Sequence, residues 1–418
     1  MFYAAYRRLS AQRRDGINTT ALVVLCQIVH GITFTAIPLL LPLIRGDLDI
    51  NFTQAGTLMA VATLSYALGQ IPAGYLADRY GPRRLIFIGL LGWSVLSLCF
   101  GLIHAFWLAL VNQFVAGAFR ALLFAPGLTL LASWFPPQRR ATALSLYMLG
   151  GFTGNIVLSL AGPLLVDLYG WRAAFVLMSL PGIGAAFLFR SFALDKPRAH
   201  EPQRIEAAEI LQLVRYPIMW VCCGLQFVRF SVVTALNFWL PSLLVADRGM
   251  SVQNAGLVLA MSAAITALSN TLGGYMSDRL RNPPLVIGCA LAVLACASTL
   301  LVTVESIPLL LAVIAVSSVF LQFYFGPLFI VPVEVLGPRM AGTATGFSNL
   351  FANIGGVLTA FAFGMVKDRA GSFTWGYLGI SVLCVIGVAL AVVLSRVRKR
   401  ALAAGRVTVD AAPAASAH

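Results

Sequence analysis

Apolar residues run along this chain in long blocks, and polar residues collect in the short intervals between them. Each block is near the length of about 20 residues that a helix needs to cross a hydrocarbon core. The pattern predicts twelve membrane spans, over residues 20–43, 54–77, 83–103, 106–134, 140–166, 172–193, 217–243, 253–276, 284–303, 307–335, 342–366 and 373–395. One interior segment breaks it, "ALDKPRAHEPQRIEAAEILQLVR" (193–215). Its proline-bearing start reads as linker, and "RIEAAEILQLV" has a helical period suited to lying along a membrane face. The end, "ALAAGRVTVDAAPAASAH", has no core-forming pattern and is expected to be disordered. The predicted organisation is an all-α membrane protein with a six-helix bundle over 1–193, a linker over 194–216, a second bundle over 217–400 and a tail over 401–418.

Composition agrees. Hydrophobic residues make up 59% of the chain and charged residues 11%, with mean hydropathy +0.88. A soluble protein of this length needs far more charge to cover its surface. The net charge of +14 would suggest a nucleic-acid partner in a soluble protein, but its distribution excludes that reading. Apart from Arg120 and Arg229, every basic residue outside one group falls on the side that also holds both termini. The exceptions are Arg45, Arg172, Arg248, Lys367 and Arg369. That asymmetry places the termini in the cytoplasm, in a bacterial-type inner membrane, with attraction to anionic lipid as a secondary effect. The first apolar block is too long for a signal peptide and has no obvious small-residue cleavage site, so it reads as a retained helix. All seven cysteines fall within spans, which argues against disulfides, and nothing has zinc spacing. No cofactor motif, nucleophile–base pair or phosphate loop is visible, so an enzyme is not expected.

The chain repeats itself at an offset near 200 residues. "QIVHGITFTAIPLLLP" (27–42) aligns with "QFVRFSVVTALNFWLP" (226–241), and "GYLADR" (74–79) with "GYMSDR" (274–279). Pro126 aligns with Pro327, Gly154 with Gly355, Asp167 with Asp368 and Gly170 with Gly371. Two six-helix halves joined by a cytoplasmic linker resemble the major facilitator superfamily, and the resemblance covers nearly the whole chain. "GYLADRYGPRR" (74–84) looks like that family's loop motif between helices 2 and 3, with Pro82 where a basic residue is common. "WFPPQRRATA" (134–143) and "GWRAAF" (170–175) are also typical of the family. The resemblance implies a gate at this loop, carried by Gly74, Asp78, Arg79, Gly81 and Arg83, with a degraded second copy at Asp278 and Arg279. Gly81 permits the tight turn, and Asp78 can accept hydrogen bonds from a helix N-terminus.

In this fold, helices 1, 4, 7 and 10 line the central cavity, which directs attention to the charges they carry. His30, Arg120 and Arg229 lie about 15, 21 and 18 Å into spans 1, 4 and 7, at 1.5 Å per residue. A guanidinium at that depth costs about 2.5–3.5 kcal/mol. No Asp or Glu occupies the central part of any span, so the expected partner is an anionic cargo. Gln27, Gln113 and Gln226 share helix faces with these charges, and Asn237 and Tyr324 extend the polar lining. Two guanidiniums suit a carboxylate, phosphate or similar oxyanion. The repeat makes His30 and Arg229 equivalent, whereas Arg120 faces Leu321 in the second half. Such asymmetry suits an asymmetric ligand. The rival readings are backbone hydrogen bonds or helix–helix links for the arginines, and packing for His30 and the amides.

The expected function is secondary active transport of a small organic anion by alternating access, with His30 as the proton-coupling group. The chain looks most like the organic anion/proton symporter groups and is expected to act as a monomer. A proton-driven drug exporter is the first alternative, but it should carry acidic cavity residues and a complete helix 5 motif. Gly162 and Pro163 match only the centre of that motif. A nitrate-like carrier is the second: Gly150, Gly151, Gly154 and Asn155 resemble its signature, yet helices 2 and 8 lack its arginines. A non-transporting receptor is the third, and its gating loop would be free to decay. The glycines read best as close helix packing.

Overall fold

The computed structural model describes residues 2–135, 140–195, 215–280, 282–328, 331 and 341–403. The predicted linker helix and most of the tail lie outside the described residues, as do the side chains of Asp78 and Asp278. Among the described residues there is helix and turn but no strand. The helices are α1 (Phe2–Leu48), α2 (Phe52–Tyr80), α3 (Pro82–Phe100) and α4 (Phe106–Trp134). The stretch Arg140–Phe192 breaks at Gly170 (φ 77°, ψ 164°) into α5 (140–169) and α6 (171–192). Then follow α7 (Pro217–Thr234), α8 (Val252–Leu280), α9 (Pro283–Thr303), α10 (Ile307–Leu321), α11 (Ala341–Ala370) and α12 (Thr374–Ala403). Among the described residues, ten stretches are long and apolar enough to cross a membrane. The one over 142–192 holds two rods and α2 is the remaining helix, so twelve helices match the twelve predicted spans.

Local chemistry explains where the rods begin and bend. Asn51 and Gln54 form a reciprocal capping box at the start of α2. Paired prolines open α9, where their missing N–H groups cost nothing. α7 is prolonged to Asp247 through two π-helical turns, Ala235–Trp239 and Leu243–Asp247, on either side of Leu240–Ser242. Pro241 lacks an N–H and crowds the preceding turn, which is a sufficient reason for the widened helix. Several boundaries differ from expectation, and α12 runs to Ala403, eight residues past its predicted span and into the predicted tail. α1 begins 18 residues before the predicted span, because a helix that has left the bilayer can continue in water. Span 10 is not one rod, since α10 ends at Leu321 and a turn occupies 322–324. Apolarity alone does not report such a break.

The chain divides into two compact units, Met1–Pro202 with Asn237–Ala264 and Ala360–Gly371, and Gln203–Leu236 with Ile265–Thr359 and Ser372–His418. The first unit is built round a core of Val23, Cys26 and Val29 of α1, Leu90 of α3, Leu130 of α4 and Tyr147 of α5. In it a Cβ on Gly154 would strike the Ile28 carbonyl, so α1 and α5 meet backbone to backbone. In the second unit, Gly355 of α11 stands in the same relation to the Phe227 carbonyl of α7. The repeat is therefore a repeat of packing, with small residues letting helices approach where lipid supplies no hydrophobic drive. Large apolar side chains such as Leu168, Leu268, Trp375 and Val385 stay exposed, as a lipid-facing surface requires.

Candidate substrate site

In the first unit, α1 and α4 bring Phe34, Gln113 and Arg120 to one cavity, and His30 does not line it but packs behind Phe34 and Trp93. Phe34, Trp93, Gln113 and Arg120 line it, together with Met59 and Ala62 of α2. The Arg120 guanidinium carbon lies 4.1 Å from the ring centroid of Phe34 and 4.3 Å from that of Tyr66. Both distances are well within cation–π range. No carboxylate among the described residues pairs with it. Two aromatic rings thus offset part of the cost of the charge and leave its in-plane N–H groups for an acceptor.

His30 is buried, with its ring 5.2 Å from Trp93 and 6.0 Å from Phe34. Its Nε2 has no hydrogen-bond partner among the described residues. Polar contacts hold the wall behind it. Trp93 Nε1 donates to Thr33 Oγ1 at 2.6 Å, and Thr33 Oγ1 donates back to the carbonyls of Val29 and His30 at 3.2 Å. Gln113 Nε2 donates to Asn112 Oδ1 at 3.2 Å, and Asn112 Nδ2 donates to the Leu96 carbonyl at 2.9 Å, which ties α4 to α3. Gln27 points elsewhere, towards Gly150 and Gly151 of α5.

In the second unit, Arg229 of α7 is buried, and its Nε donates to Gln226 Oε1 at 2.8 Å. Its guanidinium carbon lies 5.0 Å from the Phe325 centroid and 5.7 Å from that of Phe230. Gln226 Nε2 is buried without a partner among the described residues, and so is the Tyr324 hydroxyl. Asn237, in the first π-turn, is exposed. The i, i+3 spacing read from the sequence therefore appears as a hydrogen bond between Gln226 and Arg229. Sequence reasoning missed the aromatic walls. Phe34 was findable, being one helical turn after His30, whereas Tyr66, Trp93 and Phe325 arrive from other parts of the chain.

The loop motif is part of the scaffold of the first unit, at the turn between α2 and α3. Gly81 takes φ 84°, and its N–H donates to the Ala77 carbonyl at 3.1 Å, closing α2 and opening α3. The Arg83 N–H donates to Asp195 Oδ1 at 3.3 Å, and its Nη2 donates to the Arg190 carbonyl at 2.5 Å, which anchors α3 to the end of α6. Arg79 and Arg279 are exposed, and Gly74 has open space round its Cα.

These features meet known proteins at the level of family. Over 401 residues the chain is 24% identical to the "Hexuronate transporter" of Bacillus subtilis, covering 90% of this chain and 94% of that one. It is 26% identical over 381 residues to the "Probable sulfoacetate transporter" of Cupriavidus necator, at 83% and 86% coverage. It is also 26% identical over 372 residues to the "Probable galactarate/D-glucarate transporter" of Bacillus subtilis, at 79% and 81%. A crystal structure of a bacterial homologue of the human lysosomal transporter Spinster, inward-facing and occupied, shares the fold. The TM-score is 0.74 at 20% identity, over 94% of this chain and 98% of that one. The Major Facilitator Superfamily matches residues 23–360. With ten stretches among the described residues long and apolar enough to cross a membrane, an internal repeat of packing and that match over most of its length, the chain belongs to the Major Facilitator Superfamily and is a multi-pass membrane transporter, not an enzyme.

Proposed function

We propose that this transporter moves a small organic anion, a carboxylate, across a bacterial inner membrane by alternating access, with both termini in the cytoplasm and the halves 1–193 and 217–400 as the moving bundles. The observation that carries this reading is Arg120, held against Phe34 and Tyr66 with no carboxylate partner among the described residues. A guanidinium so placed stabilises an arriving carboxylate through paired N–H···O bonds. In the second unit Arg229, oriented by Gln226, is a further anion-recognising group. Relatives named for hexuronate, galactarate/D-glucarate and sulfoacetate support an acidic cargo. His30, buried beside the same rings with an unpartnered Nε2, is the group through which a proton is coupled.

The test is a thermal-shift screen of the purified protein against uronates, aldarates, sulfoacetate, simple mono- and dicarboxylates and inorganic anions. A bound anion at a hundredfold excess over its Kd adds ~2.7 kcal/mol of stability. At least one organic anion should raise Tm, and Arg120→Ala and Arg229→Ala should each remove that shift. Stabilisation by neutral or cationic lipophiles alone would reject the proposal. For the coupling, uptake into proteoliposomes should follow an imposed proton gradient in the parent and lose that dependence in His30→Gln.

A further inference from the structure

At the end of the first unit where α2 and α8 begin, two repeat-related aspartates reach across to helices far away in sequence. Asp368, near the end of α11, accepts the Phe52 N–H at 3.0 Å through Oδ1, and the Thr53 N–H at 2.7 Å through Oδ2. Thr53 Oγ1 also donates to Oδ2, at 2.6 Å. Its counterpart Asp167, near the end of α5, accepts Gln253 Nε2 at 2.5 Å. Thr53 and Gln253 are themselves repeat equivalents, each the second residue of its helix, α2 or α8. Three residues beyond each aspartate stands a glycine with positive φ, Gly170 at 77° and Gly371 at 69°.

The caps of α2 show that the Asp368 contact is detachable. Asn51 Oδ1 accepts the Gln54 N–H at 2.8 Å, and Gln54 Oε1 accepts the Asn51 N–H at 3.0 Å. The helix therefore satisfies two of its leading donors by itself, and the two between them go to Asp368. α8 also caps itself, through Ser251 Oγ and the Asn254 N–H at 3.2 Å. Neither helix needs the distant aspartate in order to form.

Directly below the aspartates the backbones close up in a matched pair of contacts. A Cβ on Gly56 of α2 would strike the Ala360 carbonyl of α11, and one on Gly256 of α8 would strike the Ser159 carbonyl of α5. Gly56 and Gly256 are repeat equivalents, as are Ser159 and Ala360. On the α11 side a Cβ on Gly364 would meet the Phe52 carbonyl, so the seam is tight up to the point where Asp368 holds it.

We propose that Asp368 and Asp167 form an unequal two-point latch that holds this end of the transporter shut, α11 on α2 being the strong point and α5 on α8 the weak one. Three charge-assisted hydrogen bonds at a helix N-terminus, two of them to backbone, secure the first point, against one bond to a side-chain amide at the second. Opening separates the Gly256–Ser159 seam first and the Gly56–Ala360 seam last. The proposal rests on the alternating-access reading, but its test needs no substrate.

The test is hydrogen exchange with mass spectrometry on the full chain in lipid nanodiscs, without ligand. Asp368→Asn keeps the size and removes the charge. It should speed exchange about fivefold in peptides covering 45–60 and 355–372, the expected consequence of trading charged for neutral hydrogen bonds. Exchange should slow at the opposite end, in peptides covering 74–90, as the population shifts. Asp167→Asn should move both ends in the same directions by less, and Thr53→Val should reproduce part of the Asp368→Asn effect. A change confined to 51–56 with the opposite end unmoved would reduce Asp368 to a local cap and overturn the latch. An effect of Asp167→Asn equal to that of Asp368→Asn would overturn the inequality. Melting temperatures close to the parent's keep misfolding from imitating any of these outcomes.

Discussion

Arg120 is costly to keep in an apolar helix, and the side chains round it show how the cost is met. Phe34 and Tyr66 offer ring faces at 4.1 and 4.3 Å, each interaction worth about 0.5–2 kcal/mol depending on solvation. Tyr66→Ala should therefore weaken anion affinity about 3- to 30-fold by equilibrium binding, whereas Tyr66→Phe, which keeps the ring, should stay within about twofold. Equal losses in both variants would assign the role to the Tyr66 hydroxyl. Arg120 and Arg229 were legible in the sequence because a charge in an apolar block has few bland explanations. The hydrogen bond from Arg229 to Gln226 was legible too, since helical spacing alone puts the two on one face. Tyr66 and Trp93 were not, because an aromatic residue in a membrane helix looks the same in sequence whether it faces lipid or a cation.

The helices owe their limits to few residues. Gly170 separates α5 from α6 with a backbone at φ 77° and ψ 164°. A Cβ there costs at least about 1–2 kcal/mol, the penalty of left-handed backbone for other residues. Gly170→Ala should lower Tm by a few degrees even though its Cβ would meet nothing within 4 Å. Gly154 and Gly355 fail for the other reason, contact. Gly154→Val and Gly355→Val, driven against the carbonyls of Ile28 and Phe227, should each destabilise by about 1–3 kcal/mol in a denaturant titration. Losses of similar size would confirm that the two halves repeat a packing contact as well as a residue. The spans themselves were legible from block length, since a bilayer admits little else. The turn at 322–324 and the π-turns of α7 were not, because both interrupt a helix without interrupting its apolarity.

At the scale of the whole molecule, charge should orient the protein. The predicted topology assigns Arg83, Arg84, Arg190, Arg396 and Arg400 to the cytoplasmic side. A reporter that works only in the cytoplasm, fused after His418, should be active. A membrane-impermeant thiol reagent should label Gly46→Cys from outside intact cells, and the opposite pattern would invert the topology. By itself the sequence determined the class, the twelve spans, the internal repeat, the family resemblance and the positions of Arg120 and Arg229 within apolar blocks. Each of these follows from local composition, spacing or self-similarity, and the bilayer turns such signals into nearly unique structures. Only the tertiary structure decided which aromatic rings receive Arg120, that Gly154 and Gly355 make equivalent contacts, and that Asp368 takes the two donors left over at the start of α2. Those facts are distances between residues far apart in the chain, set by how closely particular backbones approach, and no periodicity along one helix records what a different helix will bring to meet it.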